Sequence, residues 1–590
     1  MIKRIIKENS KLLLVLTLVM INILTIGFFS FNNSSFIADD FDHYSNIFTT
    51  PLPDLLFTPI DVHFAPMHKL LSYALFSISG LNFGAAIFVM SIFWILTWLF
   101  LYKALTLLIS KNNSLIISSL FISSPVFLHV IIWWSAAAHR LPFLALQAAS
   151  IYLYFIFRKK QNHIYGSLII LLQIISIGFY IKSIFFPAII ASIEICLAIR
   201  ERKTNYKNIG LISLLGSASL IYIIWYLKFS SVMRLNNDTS ILNIIYGSTI
   251  YLSRFASSIF LLPIDSHFSS LISSTFFAGL IFWSIRRCPQ TIVPIFLLLS
   301  LLLLDFTLAF IGRGFAIILP YTFARYYVDE IVITAIFIGI IISYHKKSAR
   351  VKTYSFKLFY LFFPSYILGS ILASQSFFSK AYNDHIKAHF YITNIQSELN
   401  KISSKKEPTY VMESYFPRHI NGLFIPRYLS AVWGKDHPKL NWVSSIGANV
   451  KYFQFNENGN LEHLKLPPNP NFTDSVSFPE WATAEAEYRW SYGSKAKILF
   501  STDLNISYKG KIIFHGHSLG NQRLKISVNG NYIDQITVHP HHKSWEISFN
   551  PKYLNNGNSN QIDIELPDAH QPDNGDYRVL AIAIKKIEVQ

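Results

Sequence analysis

The chain of 590 residues has few charged residues, few acids and almost no cysteine. Only 14% of its residues are charged, against about a quarter in soluble domains, while 52% are hydrophobic and the mean hydropathy is +0.37. That balance excludes an ordinary soluble protein and indicates a polytopic membrane protein with a soluble part. Its two cysteines, Cys196 and Cys288, lie in or beside apolar segments. A C-terminal disulfide framework is therefore excluded, and the sequence has no zinc-type cysteine spacing.

Acidic residues are absent from Val62 to Ile193, directly after a stretch that gathers them. Residues 36–70 contain five aspartates and three histidines, namely Asp39, Asp40, Asp42, Asp54, Asp61, His43, His63 and His68. A carboxylate cluster between long apolar segments lies at a membrane surface, where charge is usually functional. The alternative is a solvated loop whose acids only keep it out of the bilayer. Such a loop does not need this density of histidine, proline and aromatic residues.

Long apolar windows predict about eleven membrane spans, the first of them an uncleaved N-terminal span. The windows lie near residues 12–31, 82–101, 114–134, 141–157, 164–181, 184–199, 209–227, 269–285, 291–311, 328–344 and 356–375. The net charge of +18 is spread over the ends of these windows, as the positive-inside rule requires, so no nucleic-acid partner is expected. The rule is satisfied when the N-terminus is cytoplasmic, residues 240–262 lie on the outer surface, and everything after residue 376 is outside.

Three regions follow from this pattern. Residues 1–375 form a transmembrane catalytic domain with an acidic outer loop at 32–80, and residues 376–478 form an exported mixed α/β linker that begins with an amphipathic helix over 378–401. Residues 479–590 alternate polar and apolar residues around turn signals such as Asn529-Gly530. The predicted fold class is therefore an α-helical polytopic membrane domain followed by an exported region that ends in a β-sandwich or jelly roll.

The polar groups of the apolar part fall on the outer side in this topology. They are the Asp39-Asp40 loop, His139, Arg140, Lys182, Arg313 and Arg325. Arginine and lysine suit a phosphate, and stabilising a leaving phosphate is a large catalytic effect. A carboxylate aimed at an acceptor hydroxyl takes its proton as general base. These parts indicate glycosyl transfer from a polyprenyl-phosphate sugar. For each single cation, the alternative is an interfacial anchor.

Five short motifs carry a resemblance to a known class. They are IADDF, HFAPMHKL, WWSAAAHR, FYIKSIFFP, and GRG with ARYY. Together with the layout of residues 1–375, they resemble bacterial integral-membrane glycosyltransferases of the GT-C type, within that class the O-antigen or cell-surface-polysaccharide glucosyltransferases. The resemblance implies an enzyme of the bacterial cytoplasmic membrane, with its C-terminal domain periplasmic, that makes an inverting transfer from an undecaprenyl-phosphate sugar to a glycan acceptor.

The resemblance, together with the charge pattern, assigns roles to individual residues. Asp39, the first of the paired acids, is the expected general base, and Asp40 positions the loop or the acceptor. Arg313 and Arg325 are expected to bind the donor phosphate, with Arg140 and Lys182 as secondary candidates. Lys182 stands where the class carries a Lys-Glu pair. The expected substrate-binding residues are His43, Asp61, His63, His68, His139 and Tyr326.

No metal is assigned as a cofactor, although a divalent cation is weighed as an alternative. Asp39, Asp40, His43, His63 and His68 are suitable ligand types, but they show no tight ligand spacing. The terminal sandwich resembles carbohydrate-binding jelly rolls, which supports sugar binding only by analogy of fold.

Three other functions are compatible with parts of the sequence. A lipid-linked saccharide flippase would show repeats and deep charges, and here Glu194 and Asp305 are the only acids well inside apolar windows. A membrane acyltransferase would use a buried histidine such as His129 or His139. A non-catalytic assembly scaffold would not need the acidic loop.

Overall fold

The computed structural model describes most of the helical part and most of the terminal sheets. The described residues are 2–37, 40–57, 64–229, 241–262, 266–313, 324–347, 355–381, 383–403, 408–412, 440–443, 452–456, 458–463, 481, 488–502, 506–555, 559–572 and 578–590. The chain divides into two compact units, Met1–Asn383 and Asp384–Gln590.

The first unit is helical throughout its described residues. Its α-helices are α1 (Ile2–Asn33), α2 (Asp40–Thr49), α3 (Leu52–Phe57), α4 (Pro66–Ser79), α5 (Phe83–Thr106), α6 (Lys111–Ile122), α7 (Leu128–Ile131), α8 (Trp134–Lys160), α9 (His163–Phe179), α10 (Phe186–Glu201), α11 (Tyr206–Phe229), α12 (Ile241–Ile259), α13 (His267–Arg287), α14 (Ile292–Arg313), α15 (Ile331–Lys347) and α16 (Ser355–Ala381). Short 3-10 turns lie at Pro125–Phe127, Ile181–Phe185, Pro289–Thr291 and Ala324–Glu330.

The described residues contain eight helices long and apolar enough to cross a membrane, or nine if α6 and α7 form one bent span. This count is lower than the predicted eleven, for two local reasons. Helix α9 is apolar but has only 17 residues, which is too short to be counted as a span. In α16, the side chains of the first turns are outside the described residues, and only described residues enter the count. The bend between α6 and α7 is 40° and lies at Ser123-Ser124, just before Pro125, because a residue before proline leaves the helical conformation. Helix α12 is not among the apolar spans.

Two helices form the centre of the first unit. In the apolar windows of α8 and α15, 78% and 83% of the residues are buried, against 17% in α11 and α13. Helix α8 packs against α5, α9 and α4, and α15 packs against α5 and α14. Gly339 permits the close approach of α15 to α5, because a Cβ there would lie 2.5 Å from Leu105 Cδ2. Helices α8 and α15 are therefore the most enclosed of the apolar spans.

The second unit begins with α17 (Asn383–Ser403), close to the amphipathic helix predicted over 378–401. Four short strands follow, β1 (Thr409–Met412), β2 (Leu440–Val443), β3 (Tyr452–Phe455) and β4 (Leu461–His463). They form one sheet in the order β2-β1-β3-β4, in which β1 is parallel to β2 and β3, and β3 is antiparallel to β4.

Two antiparallel four-stranded sheets form the C-terminal sandwich. The strands are β5 (Arg489–Trp490), β6 (Lys495–Ser501), β7 (Lys511–Ser518), β8 (Gln522–Val528), β9 (Asn531–Val538), β10 (Ser544–Ser548), β11 (Ser559–Glu565) and β12 (Ile582–Val589). Their orders are β10-β7-β12-β5 and β6-β11-β8-β9, and apolar residues such as Trp481, Phe500, Phe514 and Ile526 fill the core. The predicted fold class, a helical membrane domain followed by a β-sandwich, is confirmed.

The hairpin predicted at Asn529-Gly530 is also confirmed. The φ angles of Asn529 and Gly530 are 48° and 79°, as the favoured two-residue hairpin turn requires, and Val528 pairs with Asn531 across it. Leu524, Ile526 and Val528 are buried, as their period-two spacing predicts.

Candidate functional site

Asp40 fastens the acidic loop to the start of α8. Its carboxylate is fully buried; Oδ2 accepts a hydrogen bond from Ile37 N at 3.0 Å, and Oδ1 accepts one from Ser135 N at 2.7 Å. The residue before α8, Trp133, makes no side-chain cap, so Asp40 satisfies an N-terminal N–H that α8 cannot satisfy itself. Negative charge is also favourable at a helix N-terminus. Asp40 therefore holds the loop in place across 95 residues of sequence.

Three histidine rings, one each on α2, α4 and α8, lead from this anchor to Arg140. His43 Nε2 lies 3.4 Å from Ser135 Oγ, and the His43 ring packs edge-on against His68 with centroids 4.6 Å apart. The His68 and His139 rings follow at 5.3 Å. Arg140 Nη1 donates to His139 Nε2 at 2.9 Å. Because a guanidinium only donates, this nitrogen accepts, and the ring carries its proton on Nδ1.

The same helix ends are joined by hydrogen bonds. Trp134 Nε1 donates to Ser72 Oγ at 3.0 Å, which links the WWSAAAHR motif to α4. Lys69 Nζ donates to Leu55 O at 2.6 Å and so ties α4 to α3. Burial lowers the pKa of Lys69 to about 8. These contacts join α4 to α3 and to the start of α8.

A buried charge network continues from Arg140. Tyr180 OH accepts from Arg140 Nη2 and donates to Asp329 Oδ2, each at 3.1 Å, while Arg140 Nε lies 3.4 Å from Asp329 Oδ1. Lys182 Nζ lies 2.8 Å from Asp329 Oδ2 and 2.5 Å from Asp305 Oδ2. Arg140 and Lys182 thus face the carboxylates of Asp329 and Asp305. Buried ions need such partners, because an unpaired buried charge is costly.

Tyr326 lies at the centre of the cations. The Arg140 guanidinium is 4.7 Å and the Lys182 ammonium 5.1 Å from the centre of its ring, and Arg325 is 5.6 Å away. Arg325 also stacks over the Trp133 ring at 4.5 Å. The backbone of this turn is held in place because Tyr251 OH on α12 donates to Tyr326 O at 3.2 Å. The ARYY motif therefore meets the WWSAAAHR motif through Arg325 and Trp133.

Most of the predicted site residues that the structure describes meet in one continuous set of contacts. It joins Asp40, His43, His68, His139, Arg140, Lys182, Arg325 and Tyr326. Asp39, Asp61 and His63 lie outside the described residues, and Arg313 ends α14 with its side chain outside them. Among the described residues, no group of three or more histidines, cysteines or acids could hold a metal ion.

The carboxylates of the network were not predicted as part of the site. The sequence marks Asp305 only as an acid inside an apolar window, and the predicted site includes neither Asp329 nor Glu330. Glu330 is 1% exposed and lies beside Asp305. The sequence does carry a signal for these carboxylates, because acids inside or beside apolar segments usually pair with cations in the same membrane region. Lys182 has no glutamate beside it in sequence, and its carboxylates come instead from α14 and the Ala324–Glu330 turn.

This arrangement offers three chemical elements within one network. A loop rich in carboxylates is anchored at a defined point, neutral imidazole can accept or donate hydrogen bonds, and arginine and lysine side chains can attract an anion. Aromatic rings between the cations restrict their orientation.

No protein-family model matches the chain, and no curated protein matches it in sequence. Several solved structures are similar to it. The oligosaccharyltransferase of Archaeoglobus fulgidus, in its apo form, is 13% identical and has a TM-score of 0.41, over 71% of this chain and 64% of that chain. ArnT from Cupriavidus metallidurans, bound to undecaprenyl phosphate, is 10% identical with a TM-score of 0.45, over 75% of this chain and 93% of that one.

A third similar structure is the arabinosyltransferase EmbB from Mycobacterium smegmatis. It is 8% identical with a TM-score of 0.33, over 97% of this chain and 64% of that chain. The three are glycosyltransferases of the GT-C type, the class that the sequence resembles. At these identities and TM-scores the likeness assigns no role to any residue of this chain.

Proposed function

We propose that the chain is a membrane glycosyltransferase that moves a sugar from a polyprenyl-phosphate donor to a glycan acceptor. The observation that carries the proposal is the continuous set of contacts from Asp40 through the three histidines to Arg140, Lys182 and Tyr326. Buried polar groups in an apolar bundle are expensive, so a set of this extent favours a function over an anchoring role. The expected setting is the outer side of a bacterial cytoplasmic membrane.

Arg325 is the first candidate for the donor phosphate. Its stacking on Trp133 and Tyr326 sets the plane of the guanidinium and hence the direction of its N–H donors. Arg140 and Lys182 already pair with Asp329 and Asp305, so we propose that they contribute to phosphate binding indirectly. They hold the Tyr326 ring in place and add to the electrostatic potential at the site. Arg313 remains a proposed partner of Arg325 in this role.

Asp39 is the proposed general base and Asp40 the residue that positions it. Both carboxylate oxygens of Asp40 accept backbone N–H groups, so its role is to hold the loop. Asp39 directly precedes this anchor in the sequence, which is why we propose it as the acid that the loop presents to the acceptor. A base so placed deprotonates the acceptor hydroxyl, whose oxygen attacks the anomeric carbon as the bond to the donor phosphate breaks, which inverts that carbon.

The acceptor and the terminal sandwich form the finer part of the proposal. We propose an O-antigen or another cell-surface polysaccharide as acceptor. Apart from the β8–β9 hairpin, successive strands of the sandwich alternate between its two sheets, an arrangement that suits a jelly roll. A glycan-holding role for the sandwich rests on that analogy of fold.

Transfer by the purified full-length chain tests the proposal. The protein is incubated with radiolabelled polyprenyl-phosphate sugars and a lipid-linked glycan, and the label is followed into the glycan. We expect transfer that is lost in Arg325→Ala and kept in Arg287→Ala, a matched change at an exposed arginine in the last turn of α13. Movement of the labelled lipid across vesicles without bond formation would instead identify a flippase.

A further inference from the structure

A second polar region of the helical unit lies at the far end of α8. From Ser135 to Arg158 the helix rises by about 35 Å. A cavity of about 340 Å³ opens there between the ends of α8 and α10 and the beginning of α11. Its cationic lining residues are Arg158, Lys159, Arg200 and Lys203. The sequence predicts this end to be cytoplasmic.

The acids near the cavity are already bound by the protein. Glu194 is buried and receives hydrogen bonds from Tyr154 OH at 2.6 Å, Arg158 Nε at 2.7 Å and Asn208 Nδ2 at 3.0 Å. Glu201 is held by Arg158 Nη1 at 2.6 Å. Arg158 therefore faces two carboxylates, and neither acid is left to neutralise the other cations.

The remaining cations give the cavity a positive balance. Lys159 and Lys203 are exposed, and neither has an ion-pair partner among the described acids. Arg200, also in the lining, donates from Nη1 to Ser343 Oγ at 2.8 Å. Four lining cations stand against Glu201 in the lining and Glu194 behind it, so the formal balance is 4 − 2 = +2.

Apolar side chains line the rest of the cavity and continue to the outside. Leu108, Phe155 and Leu197 are among the lining residues. Leu107, which also lines the cavity, is 46% exposed, and Ile199 in the last turn of α10 is 47% exposed. A ligand that fits both parts has an anionic head and an apolar tail.

We propose that this cavity binds the phosphate of an anionic phospholipid, with the acyl chains on the adjoining apolar surface. Basic pockets between membrane helices on the cytoplasmic side have the chemistry for such head groups. The site is separate from the transfer reaction, so it stands whether or not the chain is a glycosyltransferase. The competing explanation is that these cations only complement helix C-termini and the membrane surface. In that case cations that line the cavity and cations beside it contribute equally to lipid binding.

Two double variants separate these explanations. Lys159→Gln with Lys203→Gln removes two cations that line the cavity. Lys160→Gln with Lys207→Gln removes two neighbouring cations that do not line it. Both changes alter the net charge equally, and neither touches the buried contacts of Glu194. Equal thermal unfolding midpoints of the two full-length proteins confirm that each is folded.

Native mass spectrometry of the delipidated full-length protein measures the binding of phosphatidylglycerol. We expect the cavity variant to bind about thirtyfold more weakly than the unmodified chain, since each of the two interfacial cations contributes about fivefold, whereas the control keeps its affinity within about threefold. An equal loss in both variants would overturn the proposal, and so would equal binding of phosphatidylcholine. Displacement of phosphatidylglycerol by millimolar inorganic phosphate would overturn the assignment to a lipid.

Discussion

The two ends of α8 carry buried charge of different construction. At its last turns one acid, Glu194, is saturated by Tyr154, Arg158 and Asn208. At its first turns Arg140 belongs to a wider network. Arg140 and Lys182 pair there with Asp329 and Asp305 and lie near the Tyr326 ring, and Arg140 also contacts the row of histidines that leads to Asp40. The contacts of Glu194 involve only neighbouring residues of α8, α10 and α11. The network around Arg140, in contrast, extends to groups that can act on a substrate. Buried charge alone therefore does not mark a site; its connections do.

The largest expected effect comes from opening the network at α8's beginning. Asp329→Ala removes a carboxylate shared by Arg140 and Lys182 and leaves buried cations with too few partners. Loss of one partner from a buried ion pair costs about 3–5 kcal/mol, so we expect little folded protein. Size-exclusion profiles and thermal unfolding of the detergent-purified chain measure this. Near-normal stability would mean that the cations are solvated.

Arg325 provides the comparison within the site itself. Arg325→Ala removes a cation held over two aromatic rings, and loss of one group that stabilises a developing anion lowers the rate by about a hundred- to a thousandfold. Arg325→Lys keeps the charge but loses the planar fork, so an intermediate rate is expected. The rate of sugar transfer at saturating donor decides. Full activity in both variants would remove Arg325 from the site.

A smaller effect is expected at the contacts of Glu194. Glu194→Gln keeps the shape but weakens hydrogen bonds to a charged acceptor, which contribute about 1.5–3 kcal/mol each at most. We expect a lower unfolding temperature and an unchanged transfer rate per folded molecule. A collapse of transfer with normal stability would contradict the distinction between the two ends.

The smallest effect is expected from metal removal. The candidate ligands show no tight spacing in the sequence, and both carboxylate oxygens of Asp40 already accept backbone N–H groups, so we expect EDTA to change the transfer rate by less than about twofold. Loss of activity that Mg²⁺ or Mn²⁺ restores would support the alternative ligands Asp39, Asp40 and His63.

Local features were predictable from the sequence. The Asn529-Gly530 hairpin follows from the positive φ angles that its turn needs, and long apolar windows predict where helices run. The short motifs also place Arg140, Arg325 and Tyr326 in one predicted site, and the three residues are in contact in the structure.

Long-range partners were not predictable. The pairing of Lys182 with Asp305 and Asp329 depends on which helices are neighbours, and apolar periodicity reports burial but not neighbours. For the same reason no sequence pattern predicts the hydrogen bond from Ser135 N to Asp40. A carboxylate that caps a distant helix looks in sequence like any loop acid.

Comparison of Asp39→Asn with Asp40→Asn tests the central claim, that the anchored loop presents Asp39 as the base of a sugar transfer. Both changes keep the side-chain shape and remove one carboxylate. With donor binding measured separately, Asp39→Asn should transfer about a hundred- to ten-thousandfold more slowly at unchanged stability. Asp40→Asn should instead lower the unfolding temperature, because it weakens the contacts to Ile37 and Ser135, and it should slow transfer less. Wild-type transfer rates in both variants, with the sugar still moved from the polyprenyl phosphate, would contradict the account.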